Sequence, residues 1–452
     1  ERAEYVSGAP VAWDGRVYVG LAGGDFGIVG RIMAFDAESG DKLWAFNTIP
    51  QLGEFGNDTW AGESWKSGGG GTWSSFAVDT ETGQLFVPVA NPAPDFNAEV
   101  RKGDNLFTNA VVALDAKTGK RIWHYQARKN DSHDYGMASP PVLVDIDGRA
   151  AVVQASKDGF VYLIDRTSHQ LIWKQAVTTI LNHDVEPTEE GVKVCPGAKG
   201  GVQYNSPAYD AMHGLLIVGS VDWCYRLRSE PWTPHVPGTP YMSGRMEQAD
   251  DIGSGWITAL DVRTGKIAWQ FQAPAPVIAA ITTTDGDITF AGDAAGTLYV
   301  FNTATGDVLR KIDVGGALAG GIITYRSQGH QYVAVNAGNV SRSTWGAVGG
   351  LPSQVIYRLP QTTEVQALDT ILLEPSIASG ASVYAANCLA CHGPAGRGGE
   401  GSKLAGVYVS STQAEVVTKI VEPPQNMPKL YPGVINAQDV ADVAAYLRNL
   451  SE

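Results

Sequence analysis

A short unit recurs along the first three quarters of the chain: an apolar pair, then Asp, a Thr- or Ser-containing turn, Gly, and a strand carrying Trp. It runs Ala34-Phe35-Asp36 to Gly40 to Trp44, Ala113-Leu114-Asp115 to Gly119 to Trp123, and Ala259-Leu260-Asp261 to Gly265 to Trp269. Leu163-Ile164-Asp165 to Trp173 repeats it, and Val300-Phe301-Asn302 to Gly306 repeats it without the Trp. Asp and Thr/Ser side chains bond turn backbone, and Gly takes the left-handed position. A simpler hairpin precedes each unit, as in Ala12-Trp13-Asp14-Gly15 to Val19 and Leu143-Val144-Asp145 to Val153. Two hairpins make a four-stranded antiparallel sheet, and repetition of such sheets makes a β-propeller. The recurring Trp residues are expected to wedge neighbouring blades together.

The pattern supplies five full blades. A sixth hairpin, Gly321-Ile322-Ile323-Thr324-Tyr325 to Gln331–Val335, has no second half in this reading. Propellers close by pairing the last blade with a strand from the other terminus. The chain opens on a first-half hairpin, so further N-terminal blades are expected elsewhere, as a separate or missing propeller part.

Composition narrows the function. Formal charge is −14 over 452 residues, which argues against nucleic acid as a partner. No run of 18 apolar residues exists, so no helical span is expected.

Cys388-Leu389-Ala390-Cys391-His392 carries the C-x-x-C-H spacing of covalent haem attachment. The two thiols bond the macrocycle and His392 ligates iron. A zinc site would need a second ligand pair, and no Cys or His follows His392. A thioredoxin-like site would not need the adjacent His. Met427, in Asn426-Met427-Pro428, is the only methionine after Met246 and is the candidate sixth ligand, with gap-filling core as the alternative. Haem c is attached outside the bacterial cytoplasm, where disulfides persist. Cys195 and Cys224 therefore read as a disulfide, with two buried free thiols as the alternative. The layout is a propeller over 1–348, a Pro-containing linker over 349–375, and a small all-α cytochrome c domain over 376–452. A helix is expected over about 437–450, capped by Asn436, with Val440, Val443, Ala444 and Leu447 on one face.

With blades and haem motif together, the chain resembles the pyrroloquinoline quinone (PQQ) dependent quinohaemoprotein alcohol dehydrogenases. The resemblance covers essentially the whole chain and implies an eight-bladed propeller, of which about five and a half blades lie here. It also implies residue roles. Asp25, in Ala22-Gly23-Gly24-Asp25, falls where the family has a metal-binding Glu, one methylene longer. Gly23 and Gly24 flank the cofactor. Trp73, after Gly68–Thr72, corresponds to the floor under the quinone. Asn91 corresponds to an amide metal ligand, Asp134 to the catalytic base and a metal ligand, and Lys157 to a cation against the quinone oxygens. Gln203 and Tyr204 fall where Asn and Trp are commoner cofactor contacts. Cys195 and Cys224 match a family disulfide. Lanthanide-using relatives carry a second Asp two residues after the base; Gly136 stands there, and one carboxylate fewer favours Ca²⁺.

These residue types suit the chemistry. A hard cation polarises a quinone carbonyl, and oxygen ligands such as Asp25 and Asn91 suit calcium. A carboxylate such as Asp134 takes a hydroxyl proton. Each residue also has a plainer reading: Asp25, Asn91 and Asp134 as turn residues, and Trp73 as one more blade wedge. The expected function is a periplasmic dehydrogenase. Electrons would pass from a small-molecule alcohol through PQQ to haem c, then to a copper protein or cytochrome. The rival readings are a polymeric alcohol, sugar or N-heterocycle as substrate, or a non-catalytic propeller scaffold carrying an electron-transfer cytochrome.

Overall fold

The computed structural model describes residues 3–249, 253–338, 351–359, 374–424, 427–431 and 433–450. Asn426 and most of the expected linker lie outside them. The chain divides into two compact units, residues 1–323 with 334–356, and 324–333 with 357–452.

Five four-stranded antiparallel sheets follow one another at residues 11–47, 77–126, 142–176, 208–273 and 282–313, each with its strands in chain order. A sixth sheet has three strands, Leu318–Ser327, His330–Ala337 and Ser353–Arg358. The last strand lies within the stretch read as linker and as lacking a second half. Every four-stranded sheet carries one irregularity between its third and fourth strands, at Ala34/Phe35, Ala113/Leu114, Leu163/Ile164, Ala259/Leu260 and Val300/Phe301. It always falls just before the Asp or Asn of the turn. That side chain then accepts backbone hydrogen bonds two or three residues on, as Asp115 Oδ1 does from Lys117 N (3.1 Å) and Thr118 N (2.7 Å).

The core lies between the faces of adjacent sheets. Tyr18 and Ile32 of the first sheet pack with Leu85 and Val112 of the second; Val153 and Leu163 of the third pack with Leu216 and Leu260 of the fourth. At the rim, each Trp lies over the turn of the next sheet. Trp44 Nε1 donates to Ala116 O (3.2 Å), Trp173 to Val262 O (2.9 Å) and Trp269 to Thr303 O (2.9 Å). The recurrent Gly is the surface on which the indole rests: a Cβ on Gly265 would lie 2.6 Å from Trp173 Cδ2. The third sheet has His169 in the glycine's place at φ 60°, and Trp123 stacks on its ring at 4.9 Å. The wedge reading of these tryptophans is therefore correct.

A second three-stranded sheet, Val192–Val194, Tyr225–Ser229 and Gly244–Gln248, is inserted around the fourth blade. Cys195 and Cys224 form a disulfide at its edge. Its outer loop is bonded to two distant loops: Tyr241 N donates to Asp25 O (2.7 Å) and Phe96 N to Met242 O (2.9 Å).

The second unit contains helices α1 (Ile377–Asn387), α2 (Leu389–His392), α3 (Gln413–Val421) and α4 (Ala437–Arg448). Capping boxes Thr412/Glu415 and Asn436/Asp439 start α3 and α4. Val440, Val443, Ala444 and Leu447 are buried, as expected of the inner face. Asp442, also buried, accepts a hydrogen bond from Ser376 N (2.7 Å) and ties the start of α1 to α4.

The Trp–Gly contact makes a differential prediction. Gly40 (φ 75°) and Gly265 (φ 70°) share a left-handed conformation, but nothing lies within 4 Å of a Cβ on Gly40. Gly40→Ala should cost about 1–2 kcal/mol, the left-handed penalty alone. Gly265→Ala should cost roughly 1–3 kcal/mol more, because Trp173 must shift. Denaturant unfolding of both variants measures the gap; equal losses would show that the indole contact contributes nothing.

Candidate active site

In a sheet of sequential antiparallel strands, the loop after the second strand and the connection after the fourth leave from the same end. Every residue assigned to the quinone site lies in one of these loops. Asp25 (in the turn Gly24–Phe26), Asn91 and Lys157 lie between second and third strands of the first three blades. Trp73, Asp134 and the Gln203-Tyr204 pair lie in the connections that follow each of those blades. Backbone bonds link the loops in series. Gly70 N donates to Asn91 O (3.0 Å), Lys157 N to Gly136 O (3.3 Å) and Val202 N to Ser156 O (3.0 Å). Gly24 brings the first loop against the next, a Cβ there lying 3.2 Å from Gly71 N, whereas a Cβ on Gly23 would meet Ala3 O at 2.3 Å.

Lys157 Nζ lies 2.7 Å from Asp134 Oδ1, with both side chains about nine-tenths buried (10% and 11% exposed). Asp134 has φ 61°, and its loop is braced by Asp131, which accepts from Tyr135 N (2.8 Å) and pairs with Arg128 Nε (2.9 Å). Burial pushes the Asp134 carboxyl up to about 7; the Lys157 ammonium opposes this, and the negative charges of Asp25 and Asp131 add to it.

Asn91 is 3% exposed, and its Nδ2 donates to Asp95 Oδ1 (3.2 Å). Asp95 is fully buried, and its second oxygen, Oδ2, has no hydrogen-bond partner among the described residues. Burial, then the charges of Asp25 and Asp134, hold its carboxyl well above the usual range, against Lys157 and Arg101. Arg101, also fully buried, is engaged with the carbonyls of Pro94 and Asp131 and with Asn105 Oδ1. Sequence reasoning stopped at Pro94 and missed Asp95. The available signal was an acid four residues after a candidate amide ligand, in a Pro-rich loop.

Among the described residues no three His, Cys, Asp or Glu side chains are gathered tightly enough to hold an ion unaided. The gathered donors are instead carboxylates with one amide oxygen, Asn91 Oδ1. Carboxylate and amide oxygens, one of them without a hydrogen-bond partner, are the donor types a hard cation takes when its remaining ligands come from a bound cofactor.

Trp73 and Tyr204, both half-buried, meet edge to face at 6.4 Å. They line a cavity of about 820 Å³ together with Ser74, Asn205 and residues 280–283. Asp25, Asn91, Asp134 and Lys157 are not on its walls. Gln203 is 6% exposed, and its amide donates to Gly200 O (2.6 Å). Trp73 thus meets Tyr204 at the cavity wall, whereas Trp44, Trp173 and Trp269 lie against turn glycines of the next blade.

In the helical unit, Cys388 caps α2 and Cys391 is exposed; both are free thiols. His392 is 8% exposed, with Nδ1 2.8 Å from Ser402 O. That carbonyl holds the proton on Nδ1 and leaves Nε2 for a metal. Two thiols on one side of a short helix with a fixed imidazole fit haem c. Met427 lies between α3 and α4, with its N–H donating to Pro424 O (2.9 Å).

The family profile described as the glucose/ethanol/alcohol dehydrogenase β-propeller domain matches residues 1–187, and one described as cytochrome c oxidase cbb3-type subunit III matches 375–447. Residues 253–345 match an outer membrane protein assembly factor BamB profile, and none of the site residues lies there. The quinohemoprotein alcohol dehydrogenase of Comamonas testosteroni is 28% identical over 99% of this chain and 72% of its own length. Its crystal structure aligns at TM-score 0.71 with 25% identity, over 98% of this chain and 74% of that one. A europium-containing methanol dehydrogenase aligns at TM-score 0.68 with 30% identity, over 75% of this chain and 66% of that one. With the propeller and the cytochrome matched on one chain, and one relative spanning both, the chain belongs to the PQQ-dependent quinohaemoprotein alcohol dehydrogenases.

Proposed function

We propose that the chain oxidises an alcohol to an aldehyde or ketone, with PQQ and a bound cation in the propeller and haem c in the helical unit. The electrons leave for an external acceptor, a copper protein or another cytochrome, in the bacterial periplasm. The observation that carries this reading is the buried Asp134–Lys157 pair beside Asn91 and within the field of Asp25.

Bound PQQ supplies a carbonyl pair that accepts two electrons. Asp25, Asn91 and Asp134 would hold the cation, which the expected chemistry makes Ca²⁺. Asp134 would accept the hydroxyl proton, the role of a buried carboxylate placed beside a fixed ammonium. Lys157 places positive charge where negative charge gathers on the acceptor, and its pairing with Asp134 holds both groups in position before substrate arrives. Trp73 supplies a flat apolar face to a planar ring. Cys388 and Cys391 would attach the haem, His392 would ligate its iron, and Met427 would supply a second iron ligand. The loop around Trp232–Met246, tied to Asp25 and Phe96, contributes to the walls that select substrate.

Two variants test this. Asp134→Asn should keep PQQ and haem content while slowing alcohol-driven haem reduction by about a hundredfold or more; undiminished reduction removes Asp134 from the role of base. Met427→Ala should open the sixth position of the iron. The haem spectrum should then shift on adding imidazole at concentrations that leave the wild type unchanged, and equal responses would exclude Met427 as ligand.

A further inference from the structure

Asp134 stands at φ 61°, in the left-handed region that a side chain disfavours. Such a residue stays there only when its surroundings fix the backbone. The residues on either side of it are gripped by one distant segment, residues 183–186 with Pro196. Ser132 Oγ donates to Glu186 Oε2. His133 Nε2 lies 2.9 Å from Val185 O. The Tyr135 ring stacks on His183 at 5.5 Å, and its hydroxyl donates to Pro196 O (2.6 Å). Arg128 closes the grip from the second blade, its Nη1 donating to Asp184 Oδ1 (3.0 Å) and its Nη2 to His183 O (3.1 Å).

The segment has no core of its own: Asp184, Val185 and Glu186 are exposed. It is closed at its root, where Leu181 and Cys195 exchange backbone hydrogen bonds (2.8 and 2.9 Å) and Cys195 is joined to Cys224. It is thus a strap, fastened at both ends and laid across the loop that carries Asp134. Its tip makes an unusual contact. An exposed glutamate is ordinarily solvated, yet Glu186 turns one oxygen inward to Ser132, which is 0% exposed. A buried hydroxyl left without an acceptor is costly. His133 Nδ1, 3.1 Å from the same hydroxyl, already faces Arg128 Nη2 (3.2 Å).

We propose that Glu186 is a positioning residue for alcohol oxidation: by accepting the Ser132 hydroxyl it holds residues 131–135 so that Asp134 is presented to the substrate. This rests on the reading of Asp134 as the base. Glu186 acts through the loop and makes no contact with the reacting atoms. A small displacement of a base slows the proton transfer steeply, because the reacting groups must lie within hydrogen-bond reach. It does not weaken the binding of alcohol, so the maximal rate falls while KM holds.

Two readouts on the full protein with PQQ and haem bound test this. Amide hydrogen exchange, resolved by peptide, should quicken about tenfold over residues 131–137 in Glu186→Ala. The buried strand Phe160–Asp165 should exchange as in the wild type. In alcohol-driven haem reduction, Glu186→Ala should lose about tenfold in maximal rate with KM within about twofold. Glu186→Gln keeps an oxygen that can accept from Ser132, and it should restore both readouts. Unchanged exchange over 131–137 in Glu186→Ala overturns the proposal. So do equal losses in Glu186→Gln and Glu186→Ala, which would make the charge, and not the hydrogen bond, the effective feature. If Asp134→Asn reduces haem as fast as the wild type, the base reading falls and this inference with it. A slow Asp134→Asn beside an undiminished Glu186→Ala overturns this inference alone.

Discussion

The structure depends on one contact repeated from blade to blade: an indole resting on the turn of the next sheet. Trp44, Trp173 and Trp269 each donate to a backbone carbonyl of the following blade and lie against its turn glycine. This fixes how far each sheet sits from its neighbour. The loops between second and third strands and the blade-to-blade connections then alternate around one end. A site whose parts come from six such loops needs that spacing to be reproducible, since each loop contributes only one or two side chains. Backbone bonds between loops, such as Lys157 N to Gly136 O, transmit the spacing inward.

At that end the governing term is electrostatic. Burial raises Asp134 and Asp95, and each acid worsens the position of the other. The protein resolves this only in part, with Lys157 on Asp134 and with Arg101 bound into the surrounding carbonyls. What remains is a buried carboxyl oxygen on Asp95 with no hydrogen-bond partner among the described residues. The insertion sheet bears on the same balance from outside. It is stapled by Cys195–Cys224 and bonded through Tyr241 to the carbonyl of Asp25, so it holds the loop that supplies one of the charges.

Much of this was legible in the sequence because local rules produce it. The Asp-turn-Gly-Trp unit states its own geometry: the Asp bonds the turn and the Gly leaves room for the indole. The α4 face and its Asn436 cap follow from helical spacing, and C-x-x-C-H states a haem site. Two features were not legible. Ser353–Arg358 is a mostly exposed strand, so it lacks the strong apolar alternation that marks the inner strands. Asp95 looks like a loop acid, and its burial arises only when the Phe96 loop is bonded to the insertion at Met242. Tertiary contacts made over 140 residues away leave no local trace.

The division into two units has a chemical reason. Oxidation of an alcohol releases two electrons and a proton at once, whereas haem iron changes by one electron at a time. The first event would need a base and compensating charge, for which the propeller end offers the buried Asp134–Lys157 pair. The helical unit supplies what the second needs, a fixed imidazole and two thiols on a short helix. Each has its own core: adjacent blades in one, and Val417, Val421, Ile435, Val440 and Ala444 in the other. A substitution in the propeller loops therefore leaves the packing of the helical core as it is.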